Sequence, residues 1–180
     1  MKLFEPIKIG NVKLKNRVIM APMENGMAEV GTGEVSDRII AFFEERAQHN
    51  IAMIMPGSIG VSPEGRGLPT QLSLFDEKQV AGHKRLVDAI HNKGSLVAAQ
   101  LYHAGRQASE AITGLDPLAP SAIPCGILQN HPKEITHEQM DRIKEQFRQA
   151  ARWSIEAGYD IVEVHFAHGY LLHSFMSTHT

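Results

Sequence analysis

The sequence is poor in cysteine, in charge of one sign and in long apolar runs, and each shortage excludes a class of protein. Cys125 is its only cysteine, which excludes an internal disulfide and a four-cysteine metal site. The formal net charge is -2 and no lysine- and arginine-rich run occurs, so we expect no nucleic-acid partner. No apolar run approaches the roughly 20 residues that cross a bilayer, and no signal-peptide core is present. We therefore expect a cytoplasmic protein without membrane contacts.

What the sequence does contain is a regular alternation of short apolar runs and longer amphipathic stretches. A hairpin around Gly10-Asn11 is predicted first, with strands at 7–9 and 12–14. Four almost wholly apolar runs follow, at 18–21, 51–55, 96–101 and 160–165. Amphipathic helices are predicted between them, beginning at Ser36, at Asp76 and at Thr136 and ending near Asn50, Gly94 and Gly158. The Pro-containing stretch 102–135 is interpreted as a long loop.

Strands without polar alternation are buried on both faces, which indicates a parallel sheet. Strand–helix alternation then leaves an open doubly wound sheet or a closed barrel, and no Gly-x-Gly-x-x-Gly follows the first strand to favour the former. We predict an α/β fold, a parallel (β/α)₈ TIM barrel whose bottom the hairpin plugs. A complete barrel takes roughly 250 residues. Residues 1–180 are therefore expected to form one domain, the N-terminal half of a truncated barrel, with about four βα units and no helix after the fourth strand.

The active site of such a barrel lies at the C-terminal ends of its strands, and the sequence puts small residues at the first two ends. Their backbone amides and carbonyls are open to a flat ligand, and the residues in question are Ala21, Pro22, Met23, Gly57 and Ser58. The residues alone thus allow a flat ligand against the backbone of these two strand ends.

The third and fourth strand ends carry the side chains with useful chemistry. Gln100 can both donate to and accept from an imide edge. His165 and His168 could present two N–H donors to one substrate oxygen, as an oxyanion hole does. Tyr170 could supply a proton from its hydroxyl. A polarised carbonyl, a ring system and a nearby acid would suit hydride transfer to or from a flavin.

At these residues the chain resembles the Old Yellow Enzyme family of FMN-dependent NAD(P)H oxidoreductases. The family includes ene-reductases, xenobiotic reductases and dienoyl-CoA reductase-like proteins. The similarity runs the full length of the chain and is carried by LKNR at 14–17, APM at 21–23, QLYHAGR at 100–106 and HFAHGYLL at 165–172. The motifs of the third and fourth strands together are highly specific.

The resemblance implies a flavoprotein in which FMN lies across the barrel mouth. The backbone of Pro22 and Met23 would lie near the flavin, with Gly57 or Ser58 close to its ring and Gln100 at its pyrimidine edge. NAD(P)H would be the reductant and an electron-poor alkene, a small molecule, the substrate.

In the same family pattern His165 and His168 would hold the activating carbonyl of the alkene, while Tyr170 would protonate its α carbon. Two features depart from the pattern. Glu24 occupies a position that is often a small residue or cysteine, and an anion there should disfavour an anionic reduced flavin. The second departure is that the later strands, which supply the flavin phosphate site and a cationic residue near flavin N1 in the family, are absent from residues 1–180, as is any cysteine cluster for the iron–sulfur centre of some relatives.

Two other functions compete with this interpretation. The first is a metal-dependent hydrolase on the same fold, in which His103, His165 and His168 would converge as ligands. Against it, no His-x-His pair ends the first strand and carboxylates are scarce at the strand ends. The second is a non-catalytic half-barrel that pairs with a copy of itself, as a homo-oligomer, or with a partner that covers its open strand edges.

Overall fold

A parallel sheet carries the strand ends of interest, and helices cover one of its faces. The structure is a computed structural model that describes residues 1–128 and 130–180. Its strands are β1 (Ile7–Ile9), β2 (Val12–Leu14), β3 (Ile19–Met20), β4 (Met53–Ile54), β5 (Ser58–Gly60), β6 (Leu96–Tyr102), β7 (Leu118–Ala119), β8 (Lys133–Glu134) and β9 (Ile161–Val164). Its α-helices are α1 (Asp37–Ala47), α2 (Val80–His91), α3 (Glu110–Thr113), α4 (His137–Glu156) and α5 (Leu171–Met176).

Strand β6 is the centre of the sheet. Its first half pairs with β4 and its second half with β5, while β9 pairs along its other edge and β3 lies beyond β4. All these pairings are parallel, and β6 is buried on both faces, as its unbroken apolar run predicts. The register sets Gln100 opposite Ser58 on one side and Glu163 on the other. Side chains from three strand ends therefore meet in one row.

The helices begin where their capping residues predict. The Ser36 hydroxyl accepts the Ile39 N–H at the start of α1. Complete capping boxes join Asp76 to Gln79 before α2 and Thr136 to Gln139 before α4. In each box the N-cap side chain and the third residue satisfy one another's backbone N–H groups, which would otherwise lose hydrogen bonds on folding.

The main core fills the space between the sheet and helices α1, α2 and α4. Phe43, Leu86 and Ala150 face it from the three helices, and Ile54 and Val97 face it from the sheet. Each is at most 1% exposed, so each large side chain contributes about 1.5–3 kcal/mol of transfer free energy. This packing supports the strand ends from one face of the sheet. The N-terminal hairpin closes the opposite end, where Leu14 packs on Ala52, Met53 and Ala98 in a cluster of its own.

Several predicted boundaries are wrong. Helix α1 ends at Ala47, and a turn leads to Asn50, which is in the left-handed region at φ 58°. Pro56-Gly57 does not end the second strand, because Gly57 turns at φ 117° and the chain resumes pairing with β6 as β5. The two halves form one interrupted strand.

The predicted loop 102–135 contains regular structure. Helix α3 and the parallel pair β7–β8 lie in it, and residue 129 lies outside the described residues. A helix, α5, also follows the fourth strand, where none was expected. These elements are two to six residues long, too short to show a period in the sequence.

Candidate functional site

Gln100 stands at the centre of the row of strand ends. It is 7% exposed, and its Nε2 donates to Glu163 Oε1 at 3.3 Å. That single bond leaves the amide oxygen and the second N–H of Gln100 for another partner. Gln100 therefore retains both a donor and an acceptor, as its predicted role at an imide edge requires.

The three predicted catalytic side chains come together beyond β9. The ring centroids of His165 and Tyr170 are 5.0 Å apart and those of His165 and His168 are 5.1 Å apart. His168 and Tyr170 are separated by 6.3 Å, and all three pairs meet nearly edge to face. The chain thus gathers two imidazoles and one phenol around a common space.

The proton of His165 sits on the nitrogen that a ligand can reach. Its Nδ1 lies 3.1 Å from the backbone N–H of Ala167 and accepts it. Burial lowers the pKa of His165, and a positive charge on His168 lowers it further. The ring is therefore neutral near pH 7, with its proton on Nε2, and is a hydrogen-bond donor on that side.

Tyr170 is held in its protonated form. Burial raises the pKa of its hydroxyl, and the negative charge of Glu24 raises it further. Its ring packs edge to face on that of Tyr102, with centroids 4.9 Å apart. Tyr170 is therefore fixed in position and carries a proton across the physiological pH range.

His168 has a strained backbone. Its φ is 59°, a left-handed conformation that few residues other than glycine adopt. Gln107 Nε2 donates to the His168 carbonyl at 2.6 Å and helps to hold it there. Strain of this kind persists where the surrounding structure fixes it, and it often accompanies functional sites.

The first two strand ends meet beside Gln100. Met23 is 59% exposed, Ala21 is also exposed and Pro22 is half-buried. Gly57 is buried, and a Cβ placed on it would lie 3.0 Å from the Met23 carbonyl oxygen. Of the two residues at the second strand end, Ser58 is therefore the one that presents surface to a ligand.

A series of hydrogen bonds that the sequence did not reveal connects the first strand end, at Glu24, with the cluster that contains Tyr170. Glu24 Oε2 accepts from Gln71 Nε2 at 2.6 Å, and Gln71 Oε1 accepts from the Tyr102 hydroxyl at 2.7 Å. Tyr102 in turn packs on Tyr170. Tyr102 follows Gln100 by two residues and so lies on the same face of the strand, a spacing from which its place near the site could have been predicted. Gln71 lies in an aperiodic loop and gave none.

The described residues give no support to the alternative metal centre. His103 is fully buried, and its Nδ1 accepts the Gly105 N–H at 3.0 Å. Within residues 1–128 and 130–180, no three histidine, cysteine or carboxylate side chains form a group that could hold a metal. His103, His165 and His168 therefore do not converge.

Among the described helices, none combines the length with the apolar composition of a membrane-spanning segment.

Comparison with known proteins identifies the family. Residues 2–180 match the NADH:flavin oxidoreductase / NADH oxidase family. The chain belongs to this family. It is 39% identical over 180 residues to a NADH oxidase from Thermoanaerobacter brockii, covering 99% of this chain and 28% of the relative. It is 37% identical to a NADPH dehydrogenase from Bacillus velezensis, covering 98% of this chain and 51% of the relative.

Solved structures of flavin oxidoreductases share the fold. Morphinone reductase superimposes with a TM-score of 0.91 at 30% identity, covering 98% of this chain and 50% of that one. Old Yellow Enzyme from Pichia sp. AKU4542 gives 0.90 at 31% identity, with 98% and 49% covered. These similarities confirm the predicted (β/α)₈ barrel and the resemblance to the Old Yellow Enzyme family. The chain spans about half the length of the NADPH dehydrogenase and of both solved structures.

Proposed function

We propose that this chain carries the flavin-ring and substrate-activating residues of an FMN-dependent NAD(P)H oxidoreductase that reduces electron-poor alkenes. The observation that supports it most is the cluster of His165, His168 and Tyr170 beside Gln100. Family membership supports the flavin and the nicotinamide reductant. A further structure of morphinone reductase was determined in complex with tetrahydroNAD.

The residues at the strand ends suit a flat ring with a polar edge. Gln100 has a free acceptor and a free donor for an imide, and the exposed Met23 and Ala21 offer backbone and apolar surface. Ser58 lies opposite Gln100 in the sheet register, so one ring could span both. We propose that Ala21, Pro22, Met23, Gly57, Ser58 and Gln100 form this surface. The bound flavin would supply the hydride.

The histidine pair and the tyrosine then act on the alkene. His165 Nε2–H donates to the activating carbonyl, and His168, across a 5.1 Å centroid separation, provides the second donor. These bonds strengthen as negative charge develops on that oxygen. Tyr170, which keeps its proton until a strong base forms nearby, delivers it to the carbon next to the carbonyl.

Flavin titration of the purified chain tests the cofactor part. FMN is added to residues 1–180 while its absorbance and fluorescence are followed. We expect saturable binding with a shifted flavin spectrum, weakened in Gln100→Leu. A folded chain that leaves the flavin spectrum unchanged at every concentration would contradict a preformed ring site in these residues.

Turnover of an electron-poor enone with NAD(P)H tests the catalytic part. Tyr170→Phe should lower the alkene-reducing rate by about 10²-fold or more, the usual contribution of a positioned acid. Flavin reduction by NAD(P)H should be unaffected, since that step needs no proton from Tyr170. His137→Gln, at the exposed start of α4, is the matched control and should behave like the unmodified chain. Equal losses in both half-reactions would argue against an acid role.

A further inference from the structure

Glu24 is a carboxylate with neutral partners at the edge of the proposed ring site. Its Oε2 accepts from Gln71 Nε2 at 2.6 Å and from the Ser58 hydroxyl at 3.3 Å. None of the ion pairs in the described ranges includes Glu24. The Cα of Glu24 also lies 4.0 Å from where a Cβ of Gly57 would be, and its carboxylate bonds Ser58, so Glu24 stands beside the two strand ends of the proposed ring site.

The residues around Glu24 partly shield its carboxylate from water, and none of its hydrogen-bond partners is a cation. Burial raises the pKa of Glu24, and hydrogen bonds from Gln71, Ser58 and the backbone N–H groups of Asn25 and Gly26 offset part of the increase. The residue still keeps exposed surface, so water solvates the charge from the open side. A ligand that covered this surface would remove that solvation, which disfavours the ionised form of an unpaired carboxylate.

The other ionisable groups facing this region do not compensate. Tyr102 on β6 and Tyr170 before α5 are neutral near pH 7, and the charge of Glu24 raises the pKa of both. His165, at the end of β9, is neutral because burial lowers its pKa. The positive charge of Arg66 lowers the pKa of Tyr102, whereas the negative charge of Glu24 raises it. Arg66 nevertheless donates to the Gly31 carbonyl and forms no ion pair with Glu24.

We propose that Glu24 is ionised in the open site and takes up a proton when a flavin ring covers the strand ends. This inference rests on the proposed function, since it requires the ring to bind there. Once protonated, the carboxyl can donate a hydrogen bond to an acceptor on the ligand instead of repelling it. Loss of the negative charge also lowers the pKa of Tyr170, so cofactor binding makes the proposed acid a better proton donor.

The test measures flavin affinity against pH, not turnover. Riboflavin is the probe because it lacks the phosphate of FMN, which titrates near pH 6. Binding is followed by fluorescence between about pH 5 and pH 9. Above the pKa of Glu24, the Kd of the unmodified chain should rise towards tenfold per pH unit, because each unit leaves a tenth of the protonated form. Calorimetry in two buffers of different ionisation heat should register uptake of about one proton per flavin.

Two variants separate a titrating role from a structural one. Glu24→Gln mimics the protonated carboxyl and should bind riboflavin with a Kd independent of pH and no proton uptake. Gln71→Met removes a hydrogen bond that favours the charged form, so the midpoint of the pH dependence should move upward. Glu29→Gln, an exposed glutamate on the same segment, is the control and should follow the unmodified chain.

The failures are distinguishable. If the chain and Glu24→Gln bind riboflavin with the same pH dependence, Glu24 does not exchange a proton on binding and the inference is wrong, while the proposed flavin site stands. If neither binds riboflavin or FMN at any pH although both are folded, the proposed function fails for this chain and the inference fails with it.

Discussion

His83 should make the stability of this protein depend on pH. The side chain is completely buried on α2, with Nε2 3.0 Å from the Ser73 carbonyl and Nδ1 2.8 Å from the Tyr159 hydroxyl. A carbonyl can only accept, so Nε2 carries the proton and Nδ1 accepts from the tyrosine. A second proton on Nδ1 would meet a hydroxyl that already donates to it, deep inside the core.

The size of the effect follows from the pKa. Burial lowers the pKa of His83 from 6.5 to about 4, and its bond to Ser73 offsets only part of this. In the unfolded chain His83 is therefore protonated below about pH 6.5, whereas in the folded chain it stays neutral down to about pH 4. Each pH unit between these two pKa values lowers the free energy of unfolding by roughly 1.4 kcal/mol. The free energy of unfolding should fall by about 3 kcal/mol between pH 6.5 and pH 4 through His83 alone.

Urea unfolding at a series of pH values from about 7.5 down to about 4 provides the assay. His103, whose pKa burial also lowers to about 4, contributes a parallel decline, so the informative quantity is the difference between variants. His83→Gln should be less stable than the unmodified chain at pH 7 but should lose less stability on acidification. The exposed His49→Gln should retain the full decline. Identical pH profiles for His83→Gln and the unmodified chain would refute this reasoning.

Three further changes test how the strand ends are supported, each by urea unfolding at pH 7. Ser36→Ala removes the N-cap of α1 and should cost about 1 kcal/mol; no loss would mean that water replaces the cap. Gly105→Ala forces a Cβ to within 2.7 Å of the Leu171 backbone at φ 61° and should cost about 1–3 kcal/mol, with larger losses in alkene turnover than in flavin affinity. Tyr102→Phe leaves Gln71 Oε1 without its donor and should cost about 1–3 kcal/mol; an unchanged stability would show that the hydroxyl bond is not needed to hold Gln71.

Features set by neighbouring residues could be predicted from the sequence. The capping boxes at Asp76 and Thr136 involve residues three positions apart, so their chemistry is visible locally. The apolar run of β6 gave a strand buried on both faces, and the fold then placed Gln100 and His165 at one edge of the sheet. The motifs that carry the family resemblance, such as that at 165–172, are contiguous as well, so the resemblance named the residues of the candidate site before their geometry was known.

Features set by distant residues could not be predicted. Gln71 reaches Glu24 across 47 positions from a loop without a period, and only the folded chain brings them together. Pro56-Gly57 looks like a strand end, because proline lacks a ladder N–H, yet Gly57 adopts a conformation that lets β5 rejoin β6. Helix α5 spans six residues and is fixed by tertiary contacts, such as that between Gly105 and Leu171, rather than by its own periodicity.

A structure of the chain with FMN bound would test the central claim most directly. We predict the ring across the strand ends, with its pyrimidine edge within hydrogen-bonding distance of Gln100 and one side next to His165. A separate apolar cavity of about 500 Å³ between α4, α5 and the end of β9, lined by Phe147, Phe166 and Phe175, is the obvious competitor for a flat ligand. Flavin bound in that cavity, with the strand ends free, would contradict the proposed site.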